Sequence, residues 1–116
     1  ARTAVLGQGT IINACAVIQP YARVGNHAMI HAGVIIEHDC TIQDFVNLAP
    51  KVALAGHVRI GKGTTVYTGA VISPTVETGD YCTVGAGSVV LRRVEDGKKV
   101  AGAPASEINP EEDTIK

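Results

Sequence analysis

The sequence predicts an all-β fold, a parallel β-helix of hexapeptide repeats with about five coils. Three observations carry that prediction. A Leu, Ile or Val recurs at every sixth residue from Leu6 to Val90, with a single break at Thr78. Four residues after each of these stands a small or β-branched side chain, from Thr10 to Val94. And although 46% of the residues are hydrophobic, the only aromatic ones are Tyr21, Phe45, Tyr67 and Tyr81. An interior with so few rings has to be built from thin layers of Val, Ile and Ala, stacked many times.

The aliphatic series runs Leu6, Ile12, Ile18, Val24, Ile30, Ile36, Ile42, Leu48, Leu54, Ile60, Val66, Ile72, Thr78, Val84 and Val90. Neither a helical period of 3.6 nor strand alternation of two produces it. A period of six does, if each hexad is one short strand plus one turn and three hexads close a triangular coil. The first position then faces the core, and the fifth faces inward near a corner where only a small side chain fits. Backbone hydrogen bonds run from coil to coil and satisfy the buried amides. Gly7, Asn13, Gly25, Gly61, Gly79 and Gly85 follow the aliphatic position and are expected to supply the positive φ of the corners. Outward positions include Ile11, Val17, Met29, Ile35, Val71 and Val89, an apolar surface that asks for a partner.

The repeats define a β-helix domain over 1–94. Beyond it, 95–116 reads as a C-terminal turn and tail. Residues 95–99 (EDGKK) make a charged turn, and 100–108 (VAGAPASEI) fold back along the prism. Residues 107–116 are polar and are expected to fray.

A formal net charge of −1 gives no field to gather nucleic acid or an anionic membrane. Cys15, Cys40 and Cys82 are an odd number without CxxC spacing, which argues against a disulfide framework and fits a cytoplasmic location. There is no apolar run of about 18 residues and no basic-then-apolar leader at the start of the sequence.

Stacking brings residues eighteen apart into columns. One corner column holds Gln19-Pro20-Tyr21, Glu37-His38-Asp39, Ala55-Gly56-His57, Ser73-Pro74-Thr75 and Leu91-Arg92-Arg93. It alone gathers an imidazole, several carboxylates and a bare glycine amide. A His flanked by acids can act as a general base, and a glycine N–H can hold a developing oxyanion. A solvated polar corner would carry the same residue types.

The stretch from His31 to Gly61 (HAGVIIEHDCTIQDFVNLAPKVALAGHVRIG) resembles the hexapeptide-repeat acyltransferases of the sialic acid O-acetyltransferase and bacillosamine N-acetyltransferase family. The resemblance continues from Thr65 to Val90 and into Gly102-Ala103-Pro104-Ala105, near the family's Gly-x-Pro-Ala tail. It implies a left-handed helix and a homotrimer with active sites between subunits. It also implies acetyl-CoA as cosubstrate and a small-molecule acceptor, an amino sugar or sugar nucleotide of surface-glycan synthesis. By the same resemblance His38 is the catalytic base, Asp39 the acid that increases its basicity, and Gly56 the amide donor facing the thioester. Asn47 stands where many relatives carry a His beside the thioester. Thr68 and Ala86 match positions along the coenzyme groove, and Arg92, Arg93, Lys98 and Lys99 are candidates for its phosphates. Members of the family carry an N-terminal α/β domain that grips the sugar nucleotide; here the repeats begin by Val5.

Two other readings stand beside this one. A catalytically inactive prism would serve as a trimeric scaffold. A γ-class carbonic-anhydrase-like enzyme uses the same prism and binds zinc through three His. Here His27, His31 and His57 fall on different corners, so no three imidazoles converge within one chain and no metal is expected. Cys40 and Cys82 take inward positions as core filler. Cys15 lies at a corner without a base, so a covalent acyl-enzyme is not expected.

Overall fold

In the computed structural model of the chain, residues 4–108 are described. Each hexad from 5 to 90 contributes one two-residue strand and one turn, so fifteen strands close five triangular coils. The first face of the prism stacks β1 (Val5–Leu6), β4 (Arg23–Val24), β7 (Thr41–Ile42), β10 (Arg59–Ile60) and β13 (Glu77–Thr78). The second stacks β2 (Ile11–Ile12), β5 (Met29–Ile30), β8 (Asn47–Leu48), β11 (Thr65–Val66) and β14 (Thr83–Val84), then β16 (Lys99–Gly102) and β17 (Ala105–Glu107). The third stacks β3 (Val17–Ile18), β6 (Ile35–Ile36), β9 (Ala53–Leu54), β12 (Val71–Ile72) and β15 (Val89–Val90). All pairings are parallel except that of β16 with β17.

From Val24 onward the aliphatic series is buried on the prism axis with the small residues of the second series around it. Burying each Ile or Leu contributes roughly 1.5–3 kcal/mol. Leu6 and Ile12 remain 49% and 37% exposed, because the first coil is covered from one side only among the described residues. Thr78, the break in the series, is buried all the same, and its Oγ1 accepts the Gly61 N–H at 3.3 Å. Thr64 Oγ1 likewise donates to the Gly79 carbonyl at 2.8 Å and accepts the Cys82 N–H at 3.1 Å. Cys40 and Cys82 are buried in the core, as expected.

The corners differ from expectation in one respect. Positive φ falls on the third corner residue, from Gly9, Cys15 and Tyr21 onward through Tyr81 and Gly87, and not on Gly7, Asn13, Gly25, Gly61, Gly79 or Gly85. Most of these left-handed positions are held by residues other than Gly, at roughly 1–2 kcal/mol each. The glycines just after the aliphatic position serve close approach instead. A Cβ on Gly25 would run into the Asp44 carboxylate and into backbone 2.9 Å away, and one on Gly7 would meet the Gly25 backbone at 2.5 Å.

The period also slips after Val90. Val94 bridges Thr78, and Lys99 pairs with Thr83, in both cases sixteen residues apart. Val94 therefore takes a strand position on the first face. Leu91-Arg92-Arg93 does not repeat the corner geometry, and Arg93 lacks the positive φ of its predecessors. β16 extends the second face beyond 94, and β17 turns back on it. Most of the 107–116 tail, from residue 109, lies outside the described residues. No helix among the described residues is long and apolar enough to cross a membrane.

Candidate active site

The corner between the third and first faces carries the candidate site. Its coils are tied by backbone bonds from Asp39 N–H to the Pro20 carbonyl (3.2 Å), His57 N–H to the His38 carbonyl (3.1 Å) and Thr75 N–H to the Gly56 carbonyl (3.0 Å). His38 and Gly56 are thereby stacked, as are Asp39 and His57. The left-handed turn at Asp39 (φ 60) brings its carboxylate alongside the ring that precedes it, and Asp39 Oδ2 lies 3.1 Å from His38 Nδ1. An ionised carboxylate only accepts, so the bond assigns the ring proton to Nδ1 and leaves a lone pair on Nε2. That nitrogen lies over Gly56, where a Cβ would stand 2.8 Å from Nε2 and 2.9 Å from Cε1. Gly56 is not in the left-handed region, so it is the approach of the ring that requires glycine here.

The Gly56 N–H meets no acceptor among the described residues. The next coil offers Pro74 in that column, and the coil before His38 offers Pro20, neither with an N–H of its own. Gly56 thus presents a backbone donor beside the His38 ring. An open groove of about 340 Å³ leads to it along the third face, lined by Ile35, Glu37, Ala53, Gly56 and Val71.

No family model matches the chain. It is 35% identical to the serine acetyltransferase of Buchnera aphidicola over a 99-residue alignment that covers 76% of this chain and 36% of that protein. Its fold superposes on the acetyltransferase domain of PglB from Neisseria gonorrhoeae in complex with acetyl coenzyme A, with a TM-score of 0.92 and 32% identity. That match covers 93% of this chain and 53% of the other. A variant of perosamine N-acetyltransferase from Caulobacter crescentus, in complex with CoA and GDP-perosamine, gives a TM-score of 0.93 at 32% identity, covering 94% and 52%. The chain belongs to the hexapeptide-repeat acetyltransferase family. Its prism is the left-handed β-helix of that family. It spans about a third of the length of the curated relative and about half of the two solved chains.

Within this hexapeptide-repeat domain, His38, Asp39 and Gly56 come together as the sequence reading expects. Asn47, Thr68 and Ala86 do not join them in one prism. Asn47 points outward on the second face, in register with Met29 and Thr65. Thr68 and Ala86 are exposed at the corner between the second and third faces, where the Gly87 N–H bonds the Thr68 carbonyl at 2.9 Å. Of the basic candidates, Arg93 already bonds Glu77 and Glu95, both at 3.0 Å, and Lys98 lies 3.5 Å from Glu107. The hydrogen-bonded Glu95 carboxylate, with Glu77, raises the Arg93 pKa further. Burial pushes the Cys40 thiol up, and Glu37 and Asp39 add to it, outweighing the backbone bonds that favour thiolate. Cys40 stays a protonated core residue behind this corner.

Sequence reasoning missed two features of this corner. His57 packs edge-to-face on His38, with ring centroids 5.2 Å apart. The bare Gly56 donor also contrasts with the first corner, where side chains cap the equivalent amides. Gln8 and Asn26 N–H groups bond Asn26 and Asp44 Oδ1, both at 2.8 Å. Lys62 and Asp80 N–H groups bond Asp80 and Asp96 Oδ1, at 2.9 and 2.8 Å. The recurrence of Asn26, Asp44 and Asp80 in one column, eighteen and then thirty-six residues apart, was the available signal.

Proposed function

We propose that this domain transfers an acetyl group from acetyl-CoA to a sugar acceptor, as a direct transfer with His38 as general base. The acceptor class is an amino sugar or sugar nucleotide, with a 4-amino-6-deoxy sugar nucleotide of surface-glycan synthesis as the leading case. The observation that carries the reading is the 3.1 Å bond from His38 Nδ1 to Asp39, which leaves Nε2 over Gly56. As the acceptor amine or hydroxyl attacks the thioester carbonyl, its proton passes to Nε2. Asp39 holds the ring and stabilises the imidazolium. The Gly56 N–H donates to the tetrahedral oxyanion. Collapse of that intermediate breaks the C–S bond, and the imidazolium returns its proton to the departing coenzyme thiolate.

A homotrimer completes the site in this reading. The third face presents an unbroken apolar column, Val17, Ile35, Ala53, Val71 and Val89, in register through every coil. The first face presents Arg23, Thr41, Arg59 and Glu77 instead. A second prism set against the third face walls the groove that leads to Gly56. It also brings another copy's Asn47, Thr68 and Ala86 within reach of a coenzyme whose thioester lies at His38, which one prism cannot do. The reading places the reaction in the cytoplasm, where acetyl-CoA is made.

The test is thiol release from acetyl-CoA, with UDP-, dTDP- and GDP-linked 4-amino-6-deoxy sugars, sialic acid and L-serine offered in turn. Release that depends on one acceptor, and falls by about 10²–10⁴ in His38→Ala with assembly intact, is the expected result. Wild-type turnover in a correctly assembled His38→Ala protein rules out the base assignment. No release with any acceptor favours a scaffold role for this domain.

A further inference from the structure

We propose that His38, Asp39 and His57 form a binding site for one divalent metal ion of the zinc class, whose occupation silences the transferase. The silencing clause rests on His38 being the base; the binding clause does not. Each of the three residues offers a ligand atom, and these atoms lie within 4.8 Å of one another. A tetrahedral metal with bonds of about 2.0–2.1 Å holds its donors roughly 3.3 Å apart. The separation of His38 Nδ1 from Asp39 Oδ2, 3.1 Å, already matches such a pair. The His57 ligand atom then has to close on the other two by at most about 1.5 Å on that geometry, and its side chain is exposed. The backbone beneath is fixed, because the His57 N–H is bonded to the His38 carbonyl and both Asp39 and His57 sit in the same left-handed corner turn.

Two imidazoles and a carboxylate are a zinc donor set, with the fourth position left to water. The sequence hides it, because two ligands are adjacent and the third is a full coil away. A search for three imidazoles passes over the carboxylate that completes the set. Bound through Nδ1, the ion replaces the proton shared with Asp39. The ring's one proton then sits on Nε2, which faces Gly56 as a donor and has no lone pair to accept one. Binding in this way removes the base without moving the backbone.

The experiment titrates Co²⁺, a spectroscopic stand-in for zinc, into the whole chain, and in parallel measures the effect of Zn²⁺ on acetyl transfer. The expected result is visible d–d absorption saturating at one ion per chain, with no thiolate charge-transfer band. His57→Asn is expected to weaken binding by on the order of a hundredfold or more, since even outer-shell changes cost 10–100-fold. Measured against its own metal-free rate, the same variant requires correspondingly more Zn²⁺ for inhibition, and a chelator restores the wild type. Absent d–d bands at millimolar Co²⁺ overturn the site. So do bands that persist in both His57→Asn and Asp39→Asn, or a thiolate band that assigns the ion to Cys15. Metal bound as described with transfer unaffected overturns the silencing clause and, with it, His38 as the base. Should no acceptor support transfer at all, the Co²⁺ titration still decides whether the site exists.

Discussion

Two corners of the same prism are built from the same turn and do opposite things. The corner between the first and second faces is closed on itself. Asn26, Asp44, Asp80 and Asp96 each reach toward the preceding coil and accept a backbone N–H. The glycines at 7, 25 and 79 make room for those side chains. The corner between the third and first faces has the same left-handed third residue at Asp39, His57 and Thr75 but no such caps. Proline replaces the amide at 20 and 74, and the amide at 56 is left bare beside an imidazole. At this corner the repeat omits the side chains that satisfy the backbone at the other. The omission leaves the Gly56 N–H without a partner among the described residues, which is what the proposed oxyanion role requires.

The sharpest way to break this comparison after His38 itself is Gly56→Ala. The new methyl meets the His38 ring at 2.8–2.9 Å, and a terminal ring yields more easily than backbone. The ring should move and the fold should not. A displacement near 1 Å at the reacting atoms costs about a hundredfold, so kcat is expected to fall by that order with a nearly unchanged melting temperature. If kcat stays within about twofold of wild type, the alignment of Nε2 over Gly56 has no part in the rate. The corresponding change at the capped corner, Gly25→Ala, meets backbone at 2.9 Å as well as the Asp44 side chain and should instead lower stability.

How far the sequence revealed all this follows the same division. Period-six patterning fixes which residues face inward, because a prism has a single interior and one misplaced polar side chain is costly there. So the core from Val24 to Val90 was legible, and so was the column that stacks His38 on Gly56. Torsions were not. Gly7 and its equivalents read as positive-φ residues because glycine usually signals that conformation, yet here it signals close approach, and the left-handed turns fall on His27, Asp39, Phe45 and Tyr81. Nor was the slip after Val90 legible, since Val94 fits the small fifth position and the aliphatic strand position equally well. Asn47, Thr68 and Ala86 came from family resemblance. The eighteen-residue columns already put them away from His38, with Asn47 beside Met29 and Thr65 and with Thr68 beside Ala86.

A smaller effect is expected from Asp80→Ala at the capped corner. It removes the Oδ1 acceptor of the Lys62 N–H, which water can replace at an exposed turn. The loss should be about 1 kcal/mol, seen as a melting temperature lower by a few degrees, roughly 4–8 °C per kcal/mol for a domain of this size. Acetyl transfer should be untouched. A loss of activity without a loss of stability would mean that the two corners are coupled through the coils between them, and the division drawn above would fail.

The smallest effect belongs to the end of the His38 corner, where the period slips. Arg93 looks in sequence like a phosphate anchor for the coenzyme, but its guanidinium already meets two carboxylates, Glu77 and Glu95, with about half of the side chain exposed. A cation so occupied offers a phosphate little net charge, and exposed pairs of this kind contribute little to folding. Arg93→Gln is therefore expected to leave both the melting temperature and the KM for acetyl-CoA unchanged. Arg92 has no carboxylate partner among the described residues and serves as the contrast: Arg92→Gln should raise that KM more than Arg93→Gln does. If Arg93→Gln raises it more, the carboxylates are a resting contact that the coenzyme displaces. The corner would then extend past the slip, and the three residues from Leu91 would belong to the binding surface despite having left the repeat.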